Sequence, residues 1–232
     1  MTESCSHKIY KYISLIAILL IFLTMFIMFG YIEGLDTPGY VEGIPMRNGL
    51  YPFILLVIRT LTNPFTDNHF YVVALIQNIL SAVSIWVLGE YIAEKISDSV
   101  LSKTIIHCIA YVMLLAPWIM WFCLERDWLS CYLMTEGFSY PFFYFMVFAI
   151  CRFWDDENDR HIVWLCIIGF VLISIRKSML FFWPALMAVI VAKMGKRGAV
   201  RALLILIIPL IMGKGVSIAY DKVFSDDLVF CG

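Results

Sequence analysis

The feature that most constrains this sequence is a run of 21 residues without a charged side chain, from Tyr12 to Ile32. A helix of about 20 apolar residues crosses the roughly 30 Å hydrocarbon core of a bilayer. The run is longer than the roughly 7–15 apolar residues of a secretory signal peptide, and no small-residue cleavage motif follows it. We therefore interpret it as a retained membrane span.

The composition excludes several classes of protein. Hydrophobic residues make up 62% of the chain and charged residues 15%, with a mean hydropathy of +0.88. A soluble domain carries about 45–50% apolar and roughly 25% charged residues, so a soluble enzyme, a disordered tail and a secreted disulfide scaffold do not fit. The net charge of −1 provides no field that would attract nucleic acid. The seven cysteines form no C-x-x-C pair, so zinc and thioredoxin-type sites have no support.

Further apolar runs predict an all-α, polytopic membrane bundle of about seven spans that forms one domain over residues 1–232. A short apolar segment, Leu50–Ile58, is too short to span and predicts a surface helix in the first outer loop. The predicted spans are 12–32, 70–89, 104–124, 128–151, 161–175, 178–192 and 202–220.

Two of these runs, 161–175 and 178–192, flank Arg176 and Lys177 and could form one long helix or a hairpin of two short spans. The positive-inside rule favours the hairpin, which places a later basic group in the cytoplasm together with the N-terminus. Ten of the 17 lysines and arginines then lie inside. We expect an integral multi-pass protein of a bacterial cytoplasmic membrane. The basic group is Lys193, Lys196, Arg197 and Arg201.

The ionisable residues on the predicted outer side indicate a functional site. Glu136 lies about two turns into a predicted span, where a carboxylate is expensive and tends to face a cavity or a partner. Arg176 and Lys177 lie in a tight turn near the headgroups, where guanidinium and ammonium groups bind phosphate. These positions suggest a cavity that opens to the outer leaflet, with carboxylates and cations around it.

The first outer loop contains an acid held by a turn. Asp36 precedes Thr37-Pro38-Gly39, and an Asp before such a sequence favours a turn that fixes the carboxylate at the membrane surface. Tyr40 follows, and then Arg47 and Tyr51-Pro52 lead into the short apolar segment. Glu33 and Glu42 are the other acids of this loop.

The order Asp36, Tyr40, Arg47…Tyr51-Pro52 resembles the first outer loop of GT-C superfamily glycosyltransferases, which include protein O-mannosyltransferases and the lipid A aminoarabinose transferase. Pro117-Trp118 followed by Thr135-Glu136 is similar to a later element of that family, and so is Arg176-Lys177 followed by Pro184. The resemblance covers about residues 8 to 215. The family has eleven or more spans, so we expect this chain to correspond to its N-terminal membrane portion. The family also typically has two adjacent acids where this chain has Asp36-Thr37.

The resemblance implies transfer of a sugar from a polyprenyl-phosphate donor in the membrane to a glycan, lipid or protein acceptor on the outer face. Asp36 would be the general base, with Glu33 and Glu42 as alternatives. Cations would take the charge of the departing phosphate. A divalent metal stays open, but one acid per loop does not define a metal site. The residues expected to contact substrate are Tyr40, Arg47, Tyr51, Glu136, Arg176 and Lys177.

Two other classes of protein also fit the sequence. A multipass transporter or lipid flippase would line a cavity with intramembrane charges, although such proteins tend to show internal repeats and this chain shows none. A non-catalytic assembly subunit of a larger membrane complex needs no chemistry at all.

Overall fold

The computed structural model of the protein describes residues 2–34, 37–41, 50–96, 100–156 and 158–225. Every regular element in these ranges is a helix, so the predicted all-α class is confirmed. The α-helices are α1 (Thr2–Phe29), α2 (Thr37–Val41), α3 (Leu50–Thr62), α4 (His69–Ile96), α5 (Val100–Glu125), α6 (Thr135–Asp155), α7 (Asp159–Ile175) and α8 (Trp183–Ser225), with 3-10 helices at Leu129–Cys131 and Lys177–Phe182.

Five helical segments in the described ranges are long and apolar enough to cross a membrane. Two more apolar helices, Leu50–Thr62 and Arg160–Ile175, are shorter. The five segments make this a multi-pass membrane protein, whereas the predicted count of seven and the surface position of α3 stay predictions. The segments are Tyr10–Phe29, His69–Ile96, Ile105–Glu125, Lys177–Gly195 and Gly198–Ala219.

The chain divides into two compact units. Unit 1 comprises residues 1–34 and 66–145, and unit 2 comprises residues 35–65 and 146–232. The prediction of a single transmembrane domain stays a prediction.

Unit 1 is built around α4, which packs against α1 and α5. Small residues allow this close approach, as is common between membrane helices: a Cβ at Gly89 would collide with the ring of Tyr111. The ring of Phe22 in α1 makes edge-to-face contacts with the rings of Trp118 and Trp128, with centroids 5.6 and 5.5 Å apart. At the end of α1, Gly30 adopts φ 66° and its N–H bonds to the carbonyl of Phe26, a left-handed helix stop suited to glycine.

Residues 128–134 differ from the sequence prediction, which placed a span at 128–151. Helix α6 begins only at Thr135, and the residues before it form a 3-10 turn and extended chain. Part of their backbone also pairs with another part of unit 1: Ile32 donates to the carbonyl of Cys131 at 2.8 Å, and Leu133 donates to the carbonyl of Ile32 at 2.9 Å. The first residues of the predicted span are therefore not α-helical and are held by hydrogen bonds to Ile32.

Unit 2 is dominated by the packing of α7 on α8. Gly169 makes room for the ring of Trp183, which is buried between the two helices. Helix α8 is broken at Gly195, whose φ of 58° and ψ of −135° are accessible mainly to glycine. The break separates the last two spanning segments.

Candidate functional site

A cleft at one end of the unit 2 helices is the strongest candidate binding site. Its volume is about 240 Å³, and it lies among the end of α7, the second 3-10 helix, the C-terminal half of α8 and the start of α3. A mainly apolar wall with a few polar groups is typical of sites for amphipathic ligands. The polar lining residues are Ser174, Lys177, Lys214 and Ser217.

The end of α7 places two of these residues at the cleft. The helix stops because Arg176 is extended, with φ −144° and ψ 110°, while its N–H still donates to the carbonyl of Leu172 at 2.8 Å. Ser174 therefore lies in the last turn of α7, and Lys177 begins the 3-10 helix that follows. The end of α7 and the start of the 3-10 helix thus place one hydroxyl residue and one cationic residue at the cleft.

Ser174 is the deepest polar group of the cleft. Its side chain is buried at 6% exposure, and its hydroxyl has no hydrogen-bond partner among the described residues. Leaving a buried hydroxyl unpaired costs about 1–3 kcal/mol. Gly213 of α8 lies opposite, where an added Cβ would be 3.1 Å from the Ser174 Oγ. A side chain at position 213 would therefore crowd this buried hydroxyl.

Lys177 and Lys214 give the cleft its charge. Both side chains are exposed, and no carboxylate lies within ion-pair distance of either in the part of the chain that the structure describes. The lining includes no acidic residue. Two ammonium groups beside apolar walls and a buried hydroxyl have the chemistry that suits an anion with an apolar tail.

The other predicted unit 2 residues lie around this cleft. Arg176 is half-buried, and its Nε donates to the Ser178 hydroxyl at 2.8 Å, so it is held beside Lys177 without lining the cleft. Tyr51 is completely buried in α3, one residue after Leu50, which lines the cleft. The structure therefore brings Lys177 into the cleft and leaves Arg176 and Tyr51 next to it.

Two predicted acids, Glu33 and Glu136, belong to unit 1. Glu33 is exposed and follows the backbone bridge between Ile32 and Tyr132. Glu136 is half-buried in the first turn of α6 and accepts a hydrogen bond from Thr135 Oγ1 at 3.1 Å. The pairing of the two segments brings both acids to the same part of unit 1.

The remaining predictions fall mostly outside the described residues. Asp36, Glu42 and Arg47 lie there, and so does the side chain of Tyr40, whose backbone belongs to α2. Within the described ranges no group of three or more His, Cys, Asp or Glu side chains could hold a metal ion.

A network of buried amides and hydroxyls fixes the segment that precedes Glu136. Ser130 Oγ accepts from Trp118 Nε1 at 2.6 Å and lies 2.9 Å from Ser81 Oγ. Asn78 donates to the carbonyl of Ser130 at 3.3 Å. With its amide turned to satisfy its neighbours, Gln77 donates to the carbonyls of Ser130 and Tyr132 at 3.0 and 3.1 Å. These hydrogen bonds hold the segment against α4 and, through Trp118, against α5.

The end of this segment carries a phenol with a shifted pKa. Tyr132 donates its hydroxyl hydrogen to Asp127 Oδ2 at 2.8 Å. Partial burial, followed by this hydrogen bond and the charge of Asp127, raises the pKa of Tyr132 to about 12. The phenol therefore stays protonated and remains a donor across the physiological range.

Sequence reasoning missed Ser174, Lys214 and Ser217 as site residues. Lys214 had a signal, because it is the only charge in the apolar run from Ala202 to Tyr220. A lone cation in such a run tends to serve a site or a partner. The serines have no comparable signal, since hydroxyls are common in membrane helices.

No protein family, no curated protein and no solved structure matches this chain. The similarity to GT-C glycosyltransferases thus depends on the short sequence motifs alone.

Proposed function

We propose that this protein is a GT-C-like glycosyltransferase that holds the phosphate of a polyprenyl-phosphate sugar donor in the unit 2 cleft. The observation that carries the proposal is a cleft with apolar walls lined by Lys177, Lys214 and Ser174, whose buried hydroxyl has no partner among the described residues. Lys177 is also a residue that the family resemblance implies as a phosphate contact.

The position of the cleft supports a lipid-borne ligand. Lys177 begins one of the spanning segments, and Lys214 lies near the C-terminal end of another. Both cations are thus near helix ends, where a membrane lipid carries its phosphate. In the proposed topology of seven spans, with a cytoplasmic N-terminus and α3 on the membrane surface, this end faces the outer side of a bacterial cytoplasmic membrane.

In the proposed reaction, an acceptor hydroxyl oxygen forms a bond to the anomeric carbon of the sugar. The bond between that carbon and the phosphate oxygen breaks, and the phosphate leaves with the electron pair. The hydroxyl proton goes to a carboxylate, for which Asp36 is the proposed base. Lys177 and Lys214 stabilise the charge that grows on the departing phosphate, while the Ser174 hydroxyl donates to one of its oxygens.

The other implied residues keep their proposed roles. Arg47 and Arg176 are additional phosphate contacts, and Glu136 orients the acceptor or one of the cations. Tyr40 and Tyr51 belong to the substrate-binding region. The acceptor is a glycan, a lipid or a protein, and the described residues provide no metal cluster for the reaction.

Binding of a polyprenyl phosphate to the full chain in neutral detergent tests the proposal. We expect Lys177→Ala and Lys214→Ala each to weaken binding by about 10-fold or more, because each removes a charge-assisted contact worth about 1.5–3 kcal/mol. Lys222→Ala, on the same helix as Lys214 but outside the cleft, is the matched control. Equal affinity in all variants would refute the proposed phosphate site.

Sugar transfer distinguishes an enzyme from a lipid-binding transporter or assembly subunit. Asp36→Asn should lower transfer by about 10²–10⁴-fold, because an amide cannot accept the hydroxyl proton. Binding of the polyprenyl phosphate should persist in this variant. Asp67→Asn, at an acid that the structure describes as exposed, is the control. Binding without any transfer in the unmodified chain would contradict the enzyme and leave a lipid-phosphate-binding protein.

A further inference from the structure

The break in α8, here taken as residues 193–201, is a part of unit 2 that the proposed glycosyltransferase reaction does not use. An added Cβ at Gly198 would lie 2.6 Å from the carbonyl oxygen of Ile190. In a straight α-helix, positions 190 and 198 would be about 12 Å apart along the axis. The chain therefore bends sharply at Gly195, and the second half of α8 starts against the end of the first half.

The α8 break lies where two spanning segments meet. One segment is Lys177–Gly195 and the other is Gly198–Ala219. The first contains the 3-10 helix and then the first half of α8, so it is roughly 30 Å long at about 2.0 and 1.5 Å per residue. This length matches the thickness of the hydrocarbon core. A chain that crosses the bilayer from Lys177 therefore brings the α8 break to the membrane surface opposite the cleft.

The α8 break concentrates positive charge, because the whole basic group falls within its nine residues. Two of the four side chains are described in detail. The Nζ of Lys193 lies 5.0 Å from the centroid of the Trp154 ring, a cation–π contact. Arg201 is half-buried and donates from one of its terminal nitrogens to the sulfur of Met194 at 3.7 Å. The ring and the thioether thus keep two cations beside the bend.

The surroundings of these cations suit a lipid headgroup. Trp154 lies near the end of α6 and is 48% exposed, and tryptophan is enriched where the bilayer meets water. An added Cβ at Gly195 would meet no atom of the described residues within 4 Å, so there is space at the bend. Val191 and Val200 on either side are 40% and 63% exposed, which offers apolar surface to acyl chains.

The acids at this end of unit 2 do not cancel its cations. The end of α6 and the start of α7 carry two arginines and four acids within residues 152–160. Together with the basic group they amount to six cations and four acids, a formal net charge of +2. Ion pairs within this set leave its net charge unchanged, so the surface attracts anions. The acids are Asp155, Asp156, Glu157 and Asp159.

We propose that the α8 break binds the phosphate headgroup of an anionic phospholipid. Each lysine or arginine near a membrane surface strengthens the attraction to anionic lipid, and this surface adds an interfacial tryptophan and exposed valines. The valines favour a lipid over a soluble phosphate, which would gain nothing from them. The inference does not depend on the proposed sugar transfer, because it uses neither the cleft nor Asp36.

The test measures the affinity of the full chain for phosphatidylglycerol in neutral detergent, with zwitterionic phosphatidylcholine as the reference lipid. Lys193→Gln/Arg201→Gln should weaken binding of phosphatidylglycerol by about fivefold for each cation, and so by about 25-fold in all. Binding of phosphatidylcholine should not change. Lys95→Gln/Lys222→Gln is the matched control, because it removes the same charge and Lys95 also lies over a ring, that of Tyr91.

A third double variant separates the α8 break from the cleft. Lys177→Gln/Lys214→Gln should retain the affinity for phosphatidylglycerol within about twofold, although it should lose polyprenyl phosphate. If the cleft variant loses phosphatidylglycerol and the break variant does not, the anionic lipid belongs to the cleft and the proposal is overturned. Equal losses in the break variant and in the Lys95/Lys222 control would also overturn it, since total charge would then explain the binding.

Competition by soluble anions distinguishes a lipid from a free phosphate. Inorganic phosphate and glycerol 3-phosphate carry the same anionic group without acyl chains, and at millimolar concentration they should not displace phosphatidylglycerol. Displacement by either one would assign the site to a soluble anion and overturn the lipid.

A last measurement needs no change in the protein. A photoactivatable phosphatidylglycerol, added to the unmodified chain in neutral detergent, should label peptides that contain residues 190–201. Peptides from the end of α4 serve as the reference, because Lys95 also ends a spanning segment there. Labelling confined to the cleft segments, or equal at α4 and at the α8 break, would overturn the proposal even if the break variant does not fold.

Discussion

Buried serines in unit 1 and in unit 2 differ in how their hydroxyl groups are paired. In unit 1, the hydroxyls of Ser81 and Ser130 bond to each other, and Trp118 donates to Ser130. In unit 2, the buried hydroxyl of Ser174 has no partner among the described residues and belongs to a residue that lines a cleft. The same chemical group is thus paired within the protein in one unit and without a described partner in the other.

The cations of the two units show the same contrast. Lys11 of unit 1 forms an ion pair with Glu94, whereas Lys177 and Lys214 of unit 2 line a cleft without an acid. A buried polar group that is already satisfied within the protein contributes to stability and specificity. An unsatisfied group beside a cleft reduces stability and can be recovered by a bound ligand. The difference favours unit 2 as the place of the proposed lipid-phosphate site.

Reversal of charge gives the largest expected difference between the units. Lys214→Glu should weaken binding of polyprenyl phosphate by about 100-fold or more, because it replaces a charge-assisted contact by repulsion. Lys11→Glu should leave this binding unchanged and lower stability by about 1 kcal/mol, since it breaks an exposed ion pair. Binding and thermal stability are measured on both variants. A binding loss in Lys11→Glu equal to that of Lys214→Glu would remove the contrast.

Deletion of a hydroxyl in unit 1 should be the next largest effect. Ser130→Ala leaves the buried Trp118 N–H and the Ser81 hydroxyl without this partner, at a cost of about 1–3 kcal/mol for each group that stays unpaired. We expect a lower thermal midpoint and unchanged binding of polyprenyl phosphate. A Ser130→Ala variant as stable as the wild type would show that the segment before α6 does not depend on the network.

The helices of the fold follow from local sequence patterns. Charge-free runs predict α1, α4 and α5, because the bilayer requires an unbroken apolar length from each crossing helix. The charged pair Arg176 and Lys177 marks the place where α7 ends. The segment before α6 is harder to predict. Its hydrogen bonds go to Ile32, Gln77 and Asn78, which are distant in sequence.

The candidate site could be predicted only in part. The position of Lys177 in a tight turn predicts it as a site residue. Lys214 stands out in the sequence as a single charge in an apolar run. Ser174 could not be found in this way, because the surroundings of its buried hydroxyl depend on Gly213 in the facing helix. Three-dimensional contacts decide whether a hydroxyl is paired, and sequence spacing within one helix does not contain them.

The matched change in unit 2 should be smaller than that of Ser130 and should affect a different property. Ser174→Ala removes a buried hydroxyl that has no described partner, so stability should be unchanged or slightly higher. Binding of polyprenyl phosphate should weaken about 2- to 10-fold, as expected for one hydrogen bond worth roughly 0.5–1.5 kcal/mol. A clear loss of stability with unchanged affinity would place Ser174 in the same structural class as Ser130.

The smallest effect tests whether the close approach of Gly213 to the Ser174 hydroxyl matters. In Gly213→Ala, the new methyl group would lie 3.1 Å from the Ser174 Oγ and must displace it by a few tenths of an ångström. Alanine also favours a helix interior by about 0.5–1 kcal/mol over glycine, so this gain should roughly offset the crowding. We expect nearly unchanged stability and about twofold weaker binding of polyprenyl phosphate.

Gly215→Ala is the control for this change, because it lies in the same helix and an added Cβ there meets no atom within 4 Å. It should gain the same helix preference and leave the affinity untouched. Affinity and thermal midpoint are measured for both variants under identical conditions. If Gly213→Ala binds as tightly as Gly215→Ala, the ligand does not reach the Ser174 hydroxyl, and the cleft would bind phosphate through its two lysines alone.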